Sequence, residues 1–348
     1  MHRRIRHTRR KRKALSKKRK MLVGGDRPYK RLLARLPKNE GIGNQLFIIA
    51  MAMKVQKKTE LPLYIIVSGN KYHSKLEYKH IYTYSDMNIF ALTPAEGDVH
   101  FNKAKPTLKS IESKIRMNDQ TVFWEDSDII YDANDASDVK LPNYLYQNCR
   151  TVDKEIPNVK SMLLKNEFEK DDKKDLYEPV RKETKSDESA FVHVRVGDYV
   201  KSGWSQKLEY FIDGIKELDK NDTIKIIYLI CNEHKWYTDN EAKLKEYTKK
   251  HIQYYNNENE LVVLYKMMLC NAGAVISAST FSAWGAMMGA NMHETSTIVY
   301  PKQWIKKLNW GDNPIMFPNR WIGIESRDIE GGTNKWDSKH EGHVSEIL

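Results

Sequence analysis

No stretch of this chain approaches the roughly eighteen consecutive apolar residues that a membrane-crossing helix needs. Nor does an apolar segment of about 7–15 residues follow the basic N-terminus, so neither a signal peptide nor a membrane span is expected. Cysteine is scarce. Cys149, Cys231 and Cys270 are odd in number and have no metal-ligand spacing; Cys231 and Cys270 sit in apolar surroundings, where a reduced core thiol is the default, and a reducing, cytosolic-type compartment fits. There is no internal repeat and no low-complexity tract beyond the first twenty residues.

What is abundant is charge, and it is unevenly placed. The 348 residues carry 58 Lys and Arg against 46 Asp and Glu, a formal net charge of +12. Twelve of those cations and no acid lie between Arg3 and Lys20, so the remainder is electrically balanced. A segment that basic cannot bury apolar surface, and residues 1–30 read as a disordered arm. Such an arm attracts polyanions: nucleic acid, an anionic membrane surface or an acidic glycan. It also has the look of a nuclear-localisation cluster. The hydrophobic content of 40% and the mean hydropathy of −0.68 follow from 30% charged residues and do not imply disorder of the whole. At roughly 150 residues per domain the length predicts two cores, with a boundary near 185, where a densely charged run meets a strand.

Three segments carry candidate chemistry. In Phe191-Val192-His193-Val194-Arg195-Val196-Gly197-Asp198-Tyr199, a buried-type strand ends in a permanent cation beside a glycine turn. Arg195 there is suited to fork onto phosphate oxygens, while an ion pair with Asp198 is the plainer reading. In Gly41-Ile42-Gly43-Asn44-Gln45-Leu46-Phe47, glycines feed an apolar helix whose N–H groups and dipole favour an anion. That pattern has neither a Walker lysine nor dinucleotide spacing, so alone it is weak. In Ala274-Val275-Ile276-Ser277-Ala278-Ser279-Thr280-Phe281-Ser282-Ala283-Trp284-Gly285-Ala286, a strand ends in hydroxyls before a small-residue helix. An N-cap explains one hydroxyl and leaves the others open.

In this order and spacing the three segments resemble the α1,2-fucosyltransferases of glycosyltransferase family 11. A fourth match, Ile230-Cys231-Asn232-Glu233-His234-Lys235-Trp236, is similar to that family's Ser-Asp-Asp segment. The resemblance spans roughly 36–321, with no alignable motif between about 70 and 185. Two departures stand out: Val196 occupies the place of the family's second adjacent arginine, and Cys231-Asn232 replace its Ser-Asp. The chain looks more like soluble bacterial or viral members than the Golgi-anchored animal ones, with a cytoplasmic or membrane-peripheral location, a viral factory included.

The resemblance implies a two-domain GT-B-like α/β fold of two Rossmann-like halves behind the basic arm. An N-terminal half, 31–185, would hold the glycine loop and face the acceptor; a C-terminal half, 186–348, would bind GDP-fucose. It further implies inverting transfer of L-fucose from GDP-fucose to a glycan hydroxyl, with α1,2 linkage to galactose and no metal or other cofactor. Asp171-Asp172 falls in a charged run, not in the Asp-x-Asp loop of a metal-dependent transferase. The donor contacts expected are Gly43, Asn44, Gln45, His193, Arg195, Asn232, Ser279, Thr280, Phe281 and Ser282. Arg195 would stabilise the leaving diphosphate, and Asp198 is the nearest carboxylate for a general base. The alternative is a relative that kept the fold, lost turnover and binds glycan or polyanion; Val196 and Asn232 motivate it.

Alternation beyond the boundary supports a parallel, doubly wound sheet. The spacing of Leu208, Phe211, Ile215 and Leu218 predicts a helix over 207–219. Further helices are expected at 46–57, 240–250, 258–269 and 282–290. Strands are expected at 61–67, 190–196, 223–230, 274–277 and 297–300. Segment 69–140 resists organisation, and part of 165–189 reads as a solvated helix.

Overall fold

The computed structural model describes residues 30–37, 40–67, 81–108, 125–305, 308–309, 317–325 and 329–330, with only the backbone given for Asp198, Ser202, 303–305, 308–309 and 329–330. The basic arm, apart from Lys30, lies outside the described residues.

Two all-parallel sheets organise the chain. The first contains β1 (Leu32–Leu36), β2 (Leu63–Val67), β3 (Ile89–Leu92), β4 (Lys105–Pro106) and β5 (Val139–Lys140) in the order β3-β2-β1-β5-β4. Ile65 and Ile66 are neighbours that point to opposite faces, and both are fully buried. The sheet is therefore covered on both sides, as parallel sheets require.

The second sheet is built from β6 (Ser189–Val194), β8 (Ile226–Cys231), β9 (His251–Tyr255), β10 (Gly273–Val275), β11 (Thr297–Pro301) and β14 (Ile322–Ile324). Its order is β14-β11-β10-β6-β8-β9, again wholly parallel. Two short antiparallel pairs lie outside it: β7 (Ser205–Gln206) with β15 (Ile329–Glu330), and β12 (Gln303–Ile305) with β13 (Leu308–Asn309).

The strand orders decide where a ligand can sit. In the second sheet the chain runs outward from β6 to β9, then restarts at β10 on the other flank of β6. The β6/β10 pair is thus a topological switch point, with a crevice beyond its carboxyl ends. In the first sheet the chain runs outward from β1 to β3, re-enters at the far edge as β4 and returns inward to β5, so the strand order reverses between β1 and β5.

The connecting helices are α1 (Ile42–Thr59), α2 (Pro94–Lys103), α3 (Ile156–Leu163), α4 (Lys174–Glu183), α5 (Asp198–Ser202), α6 (Leu208–Asp219), α7 (His234–Lys245), α8 (Glu260–Leu269) and α9 (Thr280–Met288). Helix α1 is apolar almost all round and buries residues on every side from Leu46 to Met53. A helix of that kind belongs inside a protein, and α1 lies between the halves, packed on β1, α3 and α9. One continuous apolar core runs from Leu32 and Phe47 through Met162 to Leu264, Trp284 and Phe191. A second core covers the opposite face of the C-terminal sheet, from Val192 and Val194 to Phe211 and Ile215. The result is a GT-B-like pair of Rossmann-like halves with a shared interior.

Several expectations change. The helix placed at 240–250 runs from His234 to Lys245, and 251–255 form β9, which the sequence reading missed. The charged stretch between them turns because Asp219 accepts the Thr248 hydroxyl at 2.5 Å and the Lys249 N–H at 3.2 Å. The strand expected to reach 196 ends at Val194, and the one expected to reach Ile276-Ser277 ends at Val275. Gly43 and Asn44 are not in a loop before the helix but in the first turn of α1. Helix α4 is the solvated helix expected within 165–189, with Tyr177 and Val180 its buried residues, packed against α8.

Candidate active site

The site forms where the two switch points meet. On the C-terminal side, β6 carries His193 and is followed by Arg195, while β10 is followed by Ser277, Ser279 and the start of α9. On the N-terminal side, β1 leads into Gly43 and Asn44, and β5 leads toward Gln147.

Gly43 and the Ser279–Phe281 turn touch backbone to backbone. A Cβ on Gly43 would lie 2.5 Å from the Phe281 nitrogen and 2.6 Å from the Thr280 carbonyl carbon. Beside it, the Asn44 Oδ1 accepts the Thr280 hydroxyl at 2.7 Å and the Gln147 Nε2 at 2.9 Å. Asn44 Nδ2 donates to the Glu40 carboxylate. Residues 236 positions apart in sequence are thereby joined by a single side chain.

Gln45, expected on the donor, is 4% exposed. Its Nε2 donates to the Glu40 carbonyl at 2.8 Å and its Oε1 accepts from Tyr82 at 2.6 Å. Both ends of the amide are occupied within the protein, and Gln45 braces the joint between loop and helix.

His193 is 4% exposed, with Nδ1 2.7 Å from the Ser277 hydroxyl and its ring centroid 6.0 Å from that of Phe281. Burial, and secondarily the charge of Arg195, push its pKa down to about 3. The imidazole is neutral near pH 7. Arg195 is half-buried just past the strand end, its guanidinium 5.0 Å from the Tyr199 ring centroid. Its carbonyl accepts the Ser205 hydroxyl at 3.1 Å.

The turn after Arg195 is held from the neighbouring strand. Asn232, just beyond β8, accepts the Val196 N–H at 3.1 Å and donates to the Val196 carbonyl at 3.4 Å. Asn232, expected to grip the donor, braces the backbone beside Arg195 through these contacts. Val196 is 4% exposed and packs into the core with Val194 and Tyr210. Gly197 adopts φ 70°, a conformation that favours glycine. Asp198 opens α5, and its side chain lies outside the described residues.

The hydroxyl cluster is mostly consumed by the protein. Ser279 stands at the N-cap of α9, yet its side chain makes no capping bond. Ser282 is fully buried and donates to the Ser279 carbonyl at 3.0 Å. What α9 offers a ligand is its first-turn N–H groups, which have no intrahelical acceptor, together with the positive end of the dipole. A guanidinium, a helix N-terminus and a neutral imidazole around one switch point can stabilise an anionic leaving group. Among the described residues, no three His, Cys, Asp or Glu side chains group as a metal site needs.

A model of glycosyl transferase family 11 matches residues 38–325. The chain belongs to that family. The Gly43–Asn44, Arg195 and Ser279–Ser282 segments all fall within the match. No curated protein sequence matches. Solved structures similar to this family member include the α1,6-fucosyltransferase NodZ soaked with GDP-fucose, at 12% identity and TM-score 0.43, covering 75% of this chain and 93% of that one. NodZ from Bradyrhizobium aligns at 14% identity and TM-score 0.46, over 75% and 94% of the respective chains. POFUT1 in its apo form aligns at 12% identity and TM-score 0.40, over 80% and 99%.

Three residues that hold the site went unremarked as site residues in the sequence. Ser277 lies within the strand–hydroxyl segment 274–286. Glu40 directly precedes the glycine loop, and its charge was the available signal. Gln147 lies in the motif-free middle, and only the fold brings it to Asn44.

Proposed function

We propose that this family 11 member transfers L-fucose from GDP-fucose to a glycan hydroxyl, with inversion, forming an α1,2 linkage to galactose. The observation that carries the reading is the junction of the two switch points through Asn44 and Thr280, with Arg195 just past the end of β6. The acceptor oxygen attacks the anomeric carbon from the face opposite the diphosphate. The bond from that carbon to the diphosphate oxygen breaks, and its electron pair leaves with GDP. Arg195 and the first-turn N–H groups of α9 meet the developing phosphate charge without a metal. His193 stays neutral and holds the crevice wall through Ser277. Asp198 takes the acceptor proton as general base. In this reading the half before about 185 receives the acceptor, the half after it holds the nucleotide, and the basic arm contacts an anionic membrane or nucleic acid.

The test is purified protein with GDP-fucose and a panel of galactose-terminated and other glycans. Fucosylated product, one GDP per transfer and an inverted anomeric configuration by NMR are expected. Absence of both product and free GDP above background would sink the reading. A second reading, a relative that binds glycan without turnover, draws on Asn232 and Thr280 having their side chains engaged within the protein. Glycan binding with no GDP release would favour it. Removing residues 1–24 separates the arm: retained transfer with lost polyanion binding makes it an accessory.

A further inference from the structure

Asn44 is an amide between three partners, and only one of them dictates which way round it stands. Its Oδ1 takes two hydrogen bonds, from the Thr280 hydroxyl at 2.7 Å and from Gln147 Nε2 at 2.9 Å. A hydroxyl can donate or accept, and a glutamine amide can flip. Thr280 and Gln147 would therefore satisfy Asn44 equally well with its oxygen and nitrogen exchanged. Glu40 would not. An ionised carboxylate only accepts, so it requires Asn44 Nδ2 on its side. Glu40 is itself held at the main chain, where its carbonyl accepts Gln45 Nε2 at 2.8 Å while Gln45 Oε1 accepts Tyr82 at 2.6 Å.

With Oδ1 saturated by two donors and one Nδ2 hydrogen on Glu40, the second Nδ2 hydrogen has no partner among the described residues. It stands half-buried at the seam of the two halves. The geometry points to Glu40 as a positioning residue that acts through Asn44. It makes the seam present an N–H, not a carbonyl, to an oxygen of the donor's sugar. This rests on the donor reading above. With the amide reversed, Oδ1 would face that oxygen lone pair to lone pair, and the fraction of competent enzyme would fall accordingly.

Moving the carboxylate across the amide tests this at constant net charge. Glu40→Gln alone restores the ambiguity, and kcat/KM for GDP-fucose should fall about two- to threefold. Glu40→Gln with Gln147→Glu demands Nδ2 on the other side, and kcat/KM should fall about tenfold or more. Affinity for GDP, which lacks the sugar, should stay within about twofold in calorimetry. A double variant no worse than Glu40→Gln overturns the proposal. So does a parallel loss of GDP affinity and thermal midpoint, which marks a plain brace.

Should Gln147→Glu not fold, side-chain amide NMR of Glu40→Gln decides. A single Asn44 NH2 pair in the wild type that doubles or broadens in the variant supports the proposal; an unchanged pair overturns it. The same spectra decide if the wild type neither binds GDP nor turns over, an outcome that removes the donor reading while leaving the amide orientation to be judged separately.

Discussion

Gly43 and Gly197 each open a helix beside the candidate site, yet they are glycines for different reasons. Gly43 sits in the first turn of α1, where any residue's backbone could follow, but the main chain of Thr280 and Phe281 occupies the space of a side chain. Gly197 has φ 70°, and the nearest atom to an added Cβ is Glu233 Oε1 at 2.6 Å, the far end of a flexible side chain. One glycine serves a contact between halves; the other serves a local turn. Damage at the first should spread across the molecule, whereas damage at the second should stay near Arg195 and the β6 end.

Four experiments sharpen or break that contrast, from the largest expected effect down. Val196→Arg places an unpaired charge in the apolar cluster behind the Gly197 turn. A loss of ~3–5 kcal/mol in denaturant unfolding, or insoluble protein, is expected. A soluble variant with an unchanged midpoint contradicts the burial of Val196. Arg195→Ala should lower kcat/KM about 10²–10³-fold, ~2–4 kcal/mol, with little change in stability. Arg195→Lys should recover only part, since a point charge cannot fork onto two oxygens. Activity within about threefold of wild type for Arg195→Ala removes the phosphate role.

The two glycines are compared directly by alanine. Gly43→Ala must shift α1 against α9 and should cost ~1–3 kcal/mol together with most activity. Gly197→Ala meets a movable carboxylate and pays mainly for its backbone angle, ~1–2 kcal/mol. If Gly197→Ala proves the more disruptive, the distinction between interface and turn fails.

Near neutral pH the smallest effect is a slope that builds only as pH falls. The folded His193 has its pKa pushed down to about 3 by burial and by Arg195. Between the ordinary value near 6.5 and about 3, the unfolded chain holds a proton that the folded one refuses. Stability from this residue is present above about pH 6.5 and drains as pH falls, by up to ~1.4 kcal/mol per unit. His193→Gln should flatten that part of the unfolding curve. An unchanged slope means that His193 is not the group responsible.

Much of this could be read from residues in a row. The apolar β-branched run at 63–67, the periodicity of 208–219 and the alternation after 185 announced parallel strands with helices between them. Motif order was enough to place the chain in its family. The middle of the chain was opaque because its strands are short: β4 and β5 have two residues each, too few for any periodicity to register. Helix α1 read as merely apolar, and nothing in its pattern said that both halves would share it.

Within the site, the division runs between residue types and their partners. Sequence alone determined that a cation, two glycines, an asparagine and a hydroxyl cluster would lie at strand ends and helix starts, because those chemistries follow from local turn and capping rules. Only the tertiary structure decided which of them face each other. Asn44 and Thr280 are 236 residues apart, and Gln147 comes to them from a segment without a motif. Asn232 and Gln45 looked equally fit for a ligand, yet Asn232 braces a neighbouring turn and Gln45 is filled by Glu40 and Tyr82. The physical reason is that a polar group's role is set by whichever donor or acceptor reaches it first, and packing two switch points against each other brings partners that no local rule contains.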